Sequence, residues 1–343
     1  MNSQHKAQAI LLIATVIWGL APVAVELLLD HLTPLQTITL RFGIGVLLLT
    51  LFLPLLKRGD TFPLLTSKTC ILLGWVEAFG LLAATTGQKM TTAGLATLLS
   101  TSFVFIVPFL AWKLEGTDLN LRTVLLASIA IMGIFLISFN GDWSNFSGLS
   151  ILGILILMLA ALLFGLYIAI SGKFLKNANR EDTKLDLVSF TYASLVHTFL
   201  PLFLLSMITT SSTLSLPLKI LPLLLFLGIF PTIVAFLLYH RAITRIGSVS
   251  TSFYLVIQVI IPFFYELAFS QQNYSPWVLV GIFVLLLSLG GIREKEETIS
   301  VTPASRRKKL RLIEDDYAII GGLLSGSNSW AGSYEGSQSQ FVC

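Results

Sequence analysis

The sequence predicts an all-α integral membrane protein: ten transmembrane helices arranged as two inverted five-helix repeats, with both termini in the cytoplasm. Three observations carry this expectation. The 343-residue chain is 55% hydrophobic and only 12% charged, about half the charged fraction of ordinary soluble domains, and its mean hydropathy is +0.85. Apolar segments long enough to cross a hydrocarbon core of about 30 Å recur from end to end. Basic residues cluster on alternate connections, and features of the first half return in the second.

The predicted spans are 8–29, 34–56, 69–87, 91–113, 121–139, 147–171, 186–208, 217–240, 247–269 and 275–292. The first follows a single lysine, Lys6, and has no convincing small-residue cleavage site, so it reads as a retained helix rather than a signal peptide. Short connections leave no soluble domain, and a backbone in lipid must satisfy its own hydrogen bonds, so the spans read as a helical bundle. With the N-terminus inside, the cytoplasmic segments collect twelve basic residues, from Lys6 through Lys57, Arg58 and Lys68 to Arg241 and Arg245, and seven more follow in the tail. The outer connections hold Lys89 and Lys219. Such asymmetry is what the positive-inside rule predicts. It also accounts for the net charge of +4 without nucleic acid as a partner.

The repeat is legible in paired segments. The first span carries LLIATVIWGLAPVAVELL and the sixth LILMLAALLFGLYIAI, which sets Trp18-Gly19 opposite Phe164-Gly165. TTAGLATLLSTSFVFIVPFLAW in the fourth resembles SVSTSFYLVIQVIIPFFYELAF in the ninth, matching Thr97 with Thr251 and Pro108 with Pro262. Residues 1–140 form the first repeat, 147–292 the second, and 293–343 a cytoplasmic tail, basic and then Gly/Ser-rich. Because five is odd, the second copy enters the membrane from the opposite side, related to the first by an axis in the membrane plane.

The chain resembles the EamA-type transporters of the drug/metabolite transporter superfamily over about residues 8 to 292. The resemblance rests on Trp18-Gly19, Arg41-Phe42, the small-residue starts of the fourth and ninth spans, Pro108, Pro262 and Glu115. It departs at the end of the ninth span, where Phe269 stands in the place of Glu115. The resemblance implies ten helices around a central cavity, in a multi-pass protein of the cell (inner) membrane. It also implies a small-molecule solute, of a class that ranges from amino acids to nucleotide-linked metabolites and drugs.

Ionisable residues inside the spans are functional candidates by default, because a charge in hydrocarbon is costly. Glu26 and Arg41 lie near the outer rim on neighbouring antiparallel helices, so they read either as a charge pair fixing those helices or, for Arg41, as a contact to an anionic group of the substrate. Glu77 sits mid-helix in LLGWVEAFGLL with no basic residue in its own span. It reads as a coupling site for protons, as a contact to a cationic group, or as a protonated acid bonded to backbone. Its estimated depth differs from that of Arg41, so no strong pair between them is expected. His197 reads as a packing residue more than a proton carrier, and Glu266 as solvated at the rim.

The ninth span places Thr251, Tyr254, Gln258 and Pro262 on one face, and the fourth has Thr97, Ser100 and Pro108 at matching positions. A polar stripe belongs inside the bundle, either bridging helices or lining a cavity. Trp18 and Tyr167 join it as aromatic candidates, with Pro108 and Pro262 as hinges. Cys70 and Cys343 form no disulfide framework, and neither has a metal-ligand spacing. No catalytic motif or glycine-rich phosphate loop is visible, so an enzyme and a cofactor are not expected. The expected function is a secondary transporter of an amino acid or a nucleoside-type metabolite such as S-adenosylmethionine, with protons as a candidate coupling ion. The alternatives are a multidrug exporter, a channel or a sensor. The tail motif RRKKLRLIEDDY suits either anionic lipid or a solvated topological anchor, with disorder expected beyond Gly321.

Overall fold

In the computed structural model, the structure describes residues 3–53, 61–91, 93–139, 141–142, 150–180, 185–209, 217–269 and 275–291. The tail, Cys343 and the side chain of Glu266 lie outside the described residues. Every described element is helical. In chain order they are α1 (Ser3–Leu29), α2 (Pro34–Phe52), α3 (Thr61–Leu65), α4 (Lys68–Lys89), α5 (Ala93–Thr101), α6 (Phe103–Glu115), α7 (Leu121–Phe139), α8 (Ile151–Arg180), α9 (Leu187–Thr209), α10 (Leu221–Leu227), α11 (Ala235–Leu255), α12 (Ile260–Phe269) and α13 (Pro276–Gly290). Among the described residues, seven helices are long and apolar enough to cross a membrane, and two more are shorter apolar helices.

Local chemistry sets the boundaries. Thr33, Pro34 and Gln36 start α2 with a reciprocal cap: the Gln36 N–H donates to Thr33 Oγ1 at 3.2 Å, and the Thr33 N–H donates to Gln36 Oε1 at 2.9 Å. Gly116, with φ at 67°, closes α6 in the left-handed conformation that costs glycine nothing. The longest apolar stretch, Leu218–Pro262, is 45 residues, but it is not one rod. At Gly247 φ is 75° and ψ is 170°, outside the helical region, so the chain turns there and α11 comprises two helical pieces. Thr251 Oγ1 then donates to the Gly247 carbonyl at 2.7 Å.

The fourth and ninth predicted spans are interrupted in the structure, and the eighth passes through a π-helical segment at Gly228–Val234. The fourth divides between α5 and α6 at Ser102, where Ser100, Thr101 and Ser102 all donate back to carbonyls of the preceding turn. Hydroxyls that bond their own backbone in this way bend helices. The ninth passes through a 3-10 turn at Val256–Val259 just before Pro262, whose missing N–H removes one helical bond.

The burial pattern is that of a protein in lipid. Leu47, Leu51, Leu155, Ile208 and Leu279 are exposed, whereas Arg41, Glu77, Thr191, Thr232 and His240 are buried. Glycines allow the inner helices to approach closely. A Cβ on Gly74 would overlap His197 and sit 2.7 Å from the Thr198 nitrogen, so α4 meets α9 backbone to backbone. On Gly133 it would lie 2.7 Å from the Leu285 nitrogen, and on Gly281 2.7 Å from the Gly133 carbonyl, which fixes α7 against α13.

Candidate functional site

The inner faces of α1, α2, α4, α5, α8 and α11, with the start of α6 and the 3-10 turn after α11, line a cavity of about 160 Å³. Its walls are largely aromatic and aliphatic: Trp18, Phe103, Phe164, Tyr167, Phe236 and Tyr239 contribute rings. Trp18 packs edge-on to Phe236 at 5.2 Å between centroids, and Tyr167 stacks with Tyr239 at 6.0 Å. Into this apolar shell project two charge-bearing groups, Arg41 from α2 and Glu77 from α4, each only 5% exposed. Thr85, Gln88, Thr97, Ser100 and Gln258 supply further polar atoms. An apolar pocket with a few convergent polar groups is the usual form of a small-molecule site.

Arg41 is held by a helical defect. Residues Gly228–Val234 form a π-helical segment with Pro231 inside it. Proline has no N–H to give, so the wide turn leaves backbone carbonyls in need of donors. Thr232 Oγ1 donates to the Leu227 carbonyl at 2.7 Å, and the Pro231 carbonyl accepts from Trp18 Nε1 at 2.8 Å and from Arg41 Nη2 at 3.4 Å. Arg41 Nε also donates to Thr232 Oγ1 at 2.8 Å. Gly45 and Gly228 make this possible: a Cβ on Gly45 would be 2.8 Å from Thr232 Cγ2, and one on Gly228 would be 2.5 Å from Ile44 Cγ2. The guanidinium carbon also lies 5.3 Å from the Phe42 ring centroid, within cation–π range.

Glu77 differs in having no hydrogen bond to any other described residue. Its electrostatic partner is Arg41, in the same cavity. Depth along the two separate helices sets these residues apart, but the packing of α2 against α4 brings both to one cavity. Glu26, expected beside Arg41, is exposed and does not line the cavity.

Of the other candidates, Trp18, Thr97, Ser100, Tyr167 and Gln258 line the cavity, and Thr251 and Tyr254 do not. Thr251 is spent on the backbone at Gly247, as described above. Pro108 is buried in α6, and Pro262 lies in the first turn of α12. His197 is buried outside the cavity, one ring nitrogen 2.8 Å from the Leu65 carbonyl, in keeping with a packing role. Gln88 donates to the Pro22 carbonyl at 2.8 Å and ties α4 to α1.

Sequence reasoning missed Pro231, Thr232 and His240. A Gly-Ile-Phe-Pro-Thr run in the middle of the eighth span was the available signal for the first two, since such a run cannot propagate a regular helix. His240 is the last residue of that predicted span, yet it is fully buried, with Tyr167 and Thr191 on its two ring nitrogens.

The sequence profile of the EamA-like transporter family matches residues 5–139 and 151–293. An uncharacterized transporter of Archaeoglobus fulgidus is 28% identical over 169 residues, which is 49% of this chain and 50% of that protein. The chain thus spans about half the length of the curated relative it matches. A protein of solved crystal structure superposes with a TM-score of 0.67 at 15% identity, covering 84% of this chain and 96% of the other, a likeness of fold alone.

Proposed function

This chain belongs to the EamA-like transporter family, and we propose that it is a secondary carrier for a small metabolite bearing both an anionic and a cationic group. One observation carries the reading. Arg41 and Glu77 share a cavity walled by aromatic rings, and Glu77 keeps its hydrogen-bonding capacity unspent among the described residues. A buried carboxyl without a bonded partner is costly, and a ligand ammonium would satisfy it. Arg41 keeps Nη1 for a ligand carboxylate, because only Nε and Nη2 have protein acceptors among the described residues. Amino acids and S-adenosylmethionine both combine the two groups, and the rings suit either an apolar side chain or a base. Once the cation leaves, the same Glu77 carboxyl takes up the coupling proton.

Alternating access is the mechanism of this reading, and the packing supports the repeat on which it depends. Gly74 meets Thr198, and 154 residues later Gly228 meets Ile44, which is itself 154 residues before Thr198. Gly19 on α1 packs on Ile261 of α12, and Gly165 on α8 packs on Ile106 of α6. Gly133 and Gly281 meet each other, as equivalent residues do at a two-fold axis. The break at Gly247 divides the longest stretch in two, consistent with ten crossings. In our reading both termini face the cytoplasm, across the cell membrane.

Comparing metabolites in cells with and without the protein, followed by counterflow in proteoliposomes, tests the function. The expected outcome is saturable counterflow of a zwitterionic metabolite, with its ester and its N-acetyl derivative both failing to compete. Non-saturating flux without counterflow would mean a channel. Competition by compounds lacking the carboxylate would remove Arg41 from recognition.

A further inference from the structure

Tyr167 connects the cavity to a line of hydrogen bonds running away from it, between α8, α9 and α11. Its hydroxyl lies 2.9 Å from His240 Nε2. His240 Nδ1 lies 2.9 Å from Thr191 Oγ1, and Thr191 Oγ1 lies 2.7 Å from the Leu187 carbonyl. Thr191 and His240 are both 0% exposed, so water does not enter the accounting.

Counting hydrogens gives this line a direction. A carbonyl oxygen has none to donate, so the 2.7 Å contact with Leu187 uses the single hydroxyl hydrogen of Thr191. Toward His240, Thr191 is then only an acceptor, and Nδ1 carries the ring hydrogen. The ring is enclosed by Phe190, Phe236, Tyr167 and Tyr239, with centroids 4.8 to 6.3 Å away. No carboxylate contacts it among the described residues, so an imidazolium has no partner there. In the neutral ring Nε2 is a lone pair, and the Tyr167 hydroxyl donates to it. Ser194 Oγ, 3.4 Å from the same oxygen, is the remaining protein neighbour.

We infer that Tyr167 meets the substrate only as a hydrogen-bond acceptor, and that His240, held in one tautomer by Thr191, is the positioning residue that makes the cavity prefer an N–H donor at this point. The inference rests on the carrier reading above and names which end of the ligand Tyr167 serves. Its oxygen joins Glu77 on the side that receives the ammonium, and Arg41 alone serves the anion. A Tyr167 free to rotate its hydroxyl would accept carbonyl ligands equally well. The proton committed to His240 removes that option.

Thr191→Val tests this at nearly constant volume, well away from the cavity wall. It removes the acceptor that fixes the tautomer and lets His240 place its hydrogen on Nε2, which turns the Tyr167 hydroxyl toward the cavity. The first measurement is the ultraviolet resonance Raman difference between the full-length protein and its Tyr167→Phe variant, which isolates one phenol. It should show a hydrogen-bond donor in the wild type and loss of that signature in Thr191→Val. His240→Phe, which removes the acceptor outright, should lose it too and serves if Thr191→Val fails to insert. A wild-type spectrum without the donor signature would overturn the assignment.

The second measurement is binding of L-leucine against its keto analogue, 4-methyl-2-oxopentanoate. The preference for the amine should fall by about tenfold in Thr191→Val and in Tyr167→Phe, the scale of one hydrogen bond to a charged donor, with Glu77 intact throughout. An unchanged preference with an altered spectrum would overturn the role in specificity. If neither probe binds, leucine is excluded as the substrate, the counterflow experiment decides the zwitterionic reading, and the spectrum decides the acceptor assignment on its own.

Discussion

Thr232→Val is the most informative single change in the π-helical clamp, because valine keeps the shape of threonine and removes one oxygen with two duties. Thr232 Oγ1 accepts from Arg41 Nε at 2.8 Å and donates to the Leu227 carbonyl at 2.7 Å. Losing a hydrogen bond to a charged group is worth about 1.5 to 3 kcal/mol, and leaving a buried carbonyl unpaired costs roughly 1 to 3 more. In bilayers the unfolded reference also finds partners, and measured interhelical hydrogen bonds average nearer 0.6 kcal/mol. We therefore expect destabilisation of roughly 2.5 to 4 kcal/mol, the lower half of the combined range. Thr232→Ser keeps both bonds and loses one methyl group, a change of about 1 kcal/mol. The assay is equilibrium unfolding in detergent, paired with transport in proteoliposomes. Thr232→Val should also raise KM about tenfold or more, since a guanidinium released from one of its two acceptors no longer holds its position. Equal unfolding midpoints for the valine and serine variants would refute the argument that this hydroxyl holds Arg41.

Glu77→Gln should insert and fold normally while exchange of the zwitterionic substrate falls by about tenfold or more even at equal pH on both sides. Full exchange with loss only of pH-driven accumulation would instead make Glu77 a proton site and leave the cation to other groups. For stability, replacing Arg41 and Glu77 together by glutamine should cost less than the sum of the two single changes, because a lone buried charge is worse than none, and a double-mutant cycle in the unfolding assay measures the difference. Gly133→Ala should destabilise by about 1 to 3 kcal/mol, because its Cβ meets backbone atoms of α13 that cannot turn aside, whereas Gly290→Ala, facing open space, should be near neutral. Reporter fusions after residues 60, 118 and 180 should read cytoplasmic and those near 89, 143 and 213 external. A clear reversal at any of the first three breaks the inverted arrangement.

The sequence by itself determined the membrane class and the family, because the requirement for apolar length is local and each span carries its own signal. It also picked out Trp18, Arg41, Glu77, Thr97, Ser100, Tyr167 and Gln258, since polar and aromatic groups inside apolar runs are conspicuous wherever they stand. Their partners were a different matter. Depth along two separate helices cannot say which faces meet, and the bundle turned Arg41 toward Thr232, Pro231 and Glu77 while leaving Glu26 exposed. Thr251 and Tyr254 share a helical face with Gln258, yet the 3-10 turn at Val256–Val259 changes the helical phase between them, and only Gln258 reaches the cavity. The π turn at Pro231 and the line from Tyr167 through His240 to Thr191 join residues 49 to 213 positions apart. Hydrogen bonds over such separations exist only once α1, α2, α8, α9 and α11 have packed, so it was the tertiary structure that decided which of the buried polar groups are satisfied by other parts of the chain and which face the cavity.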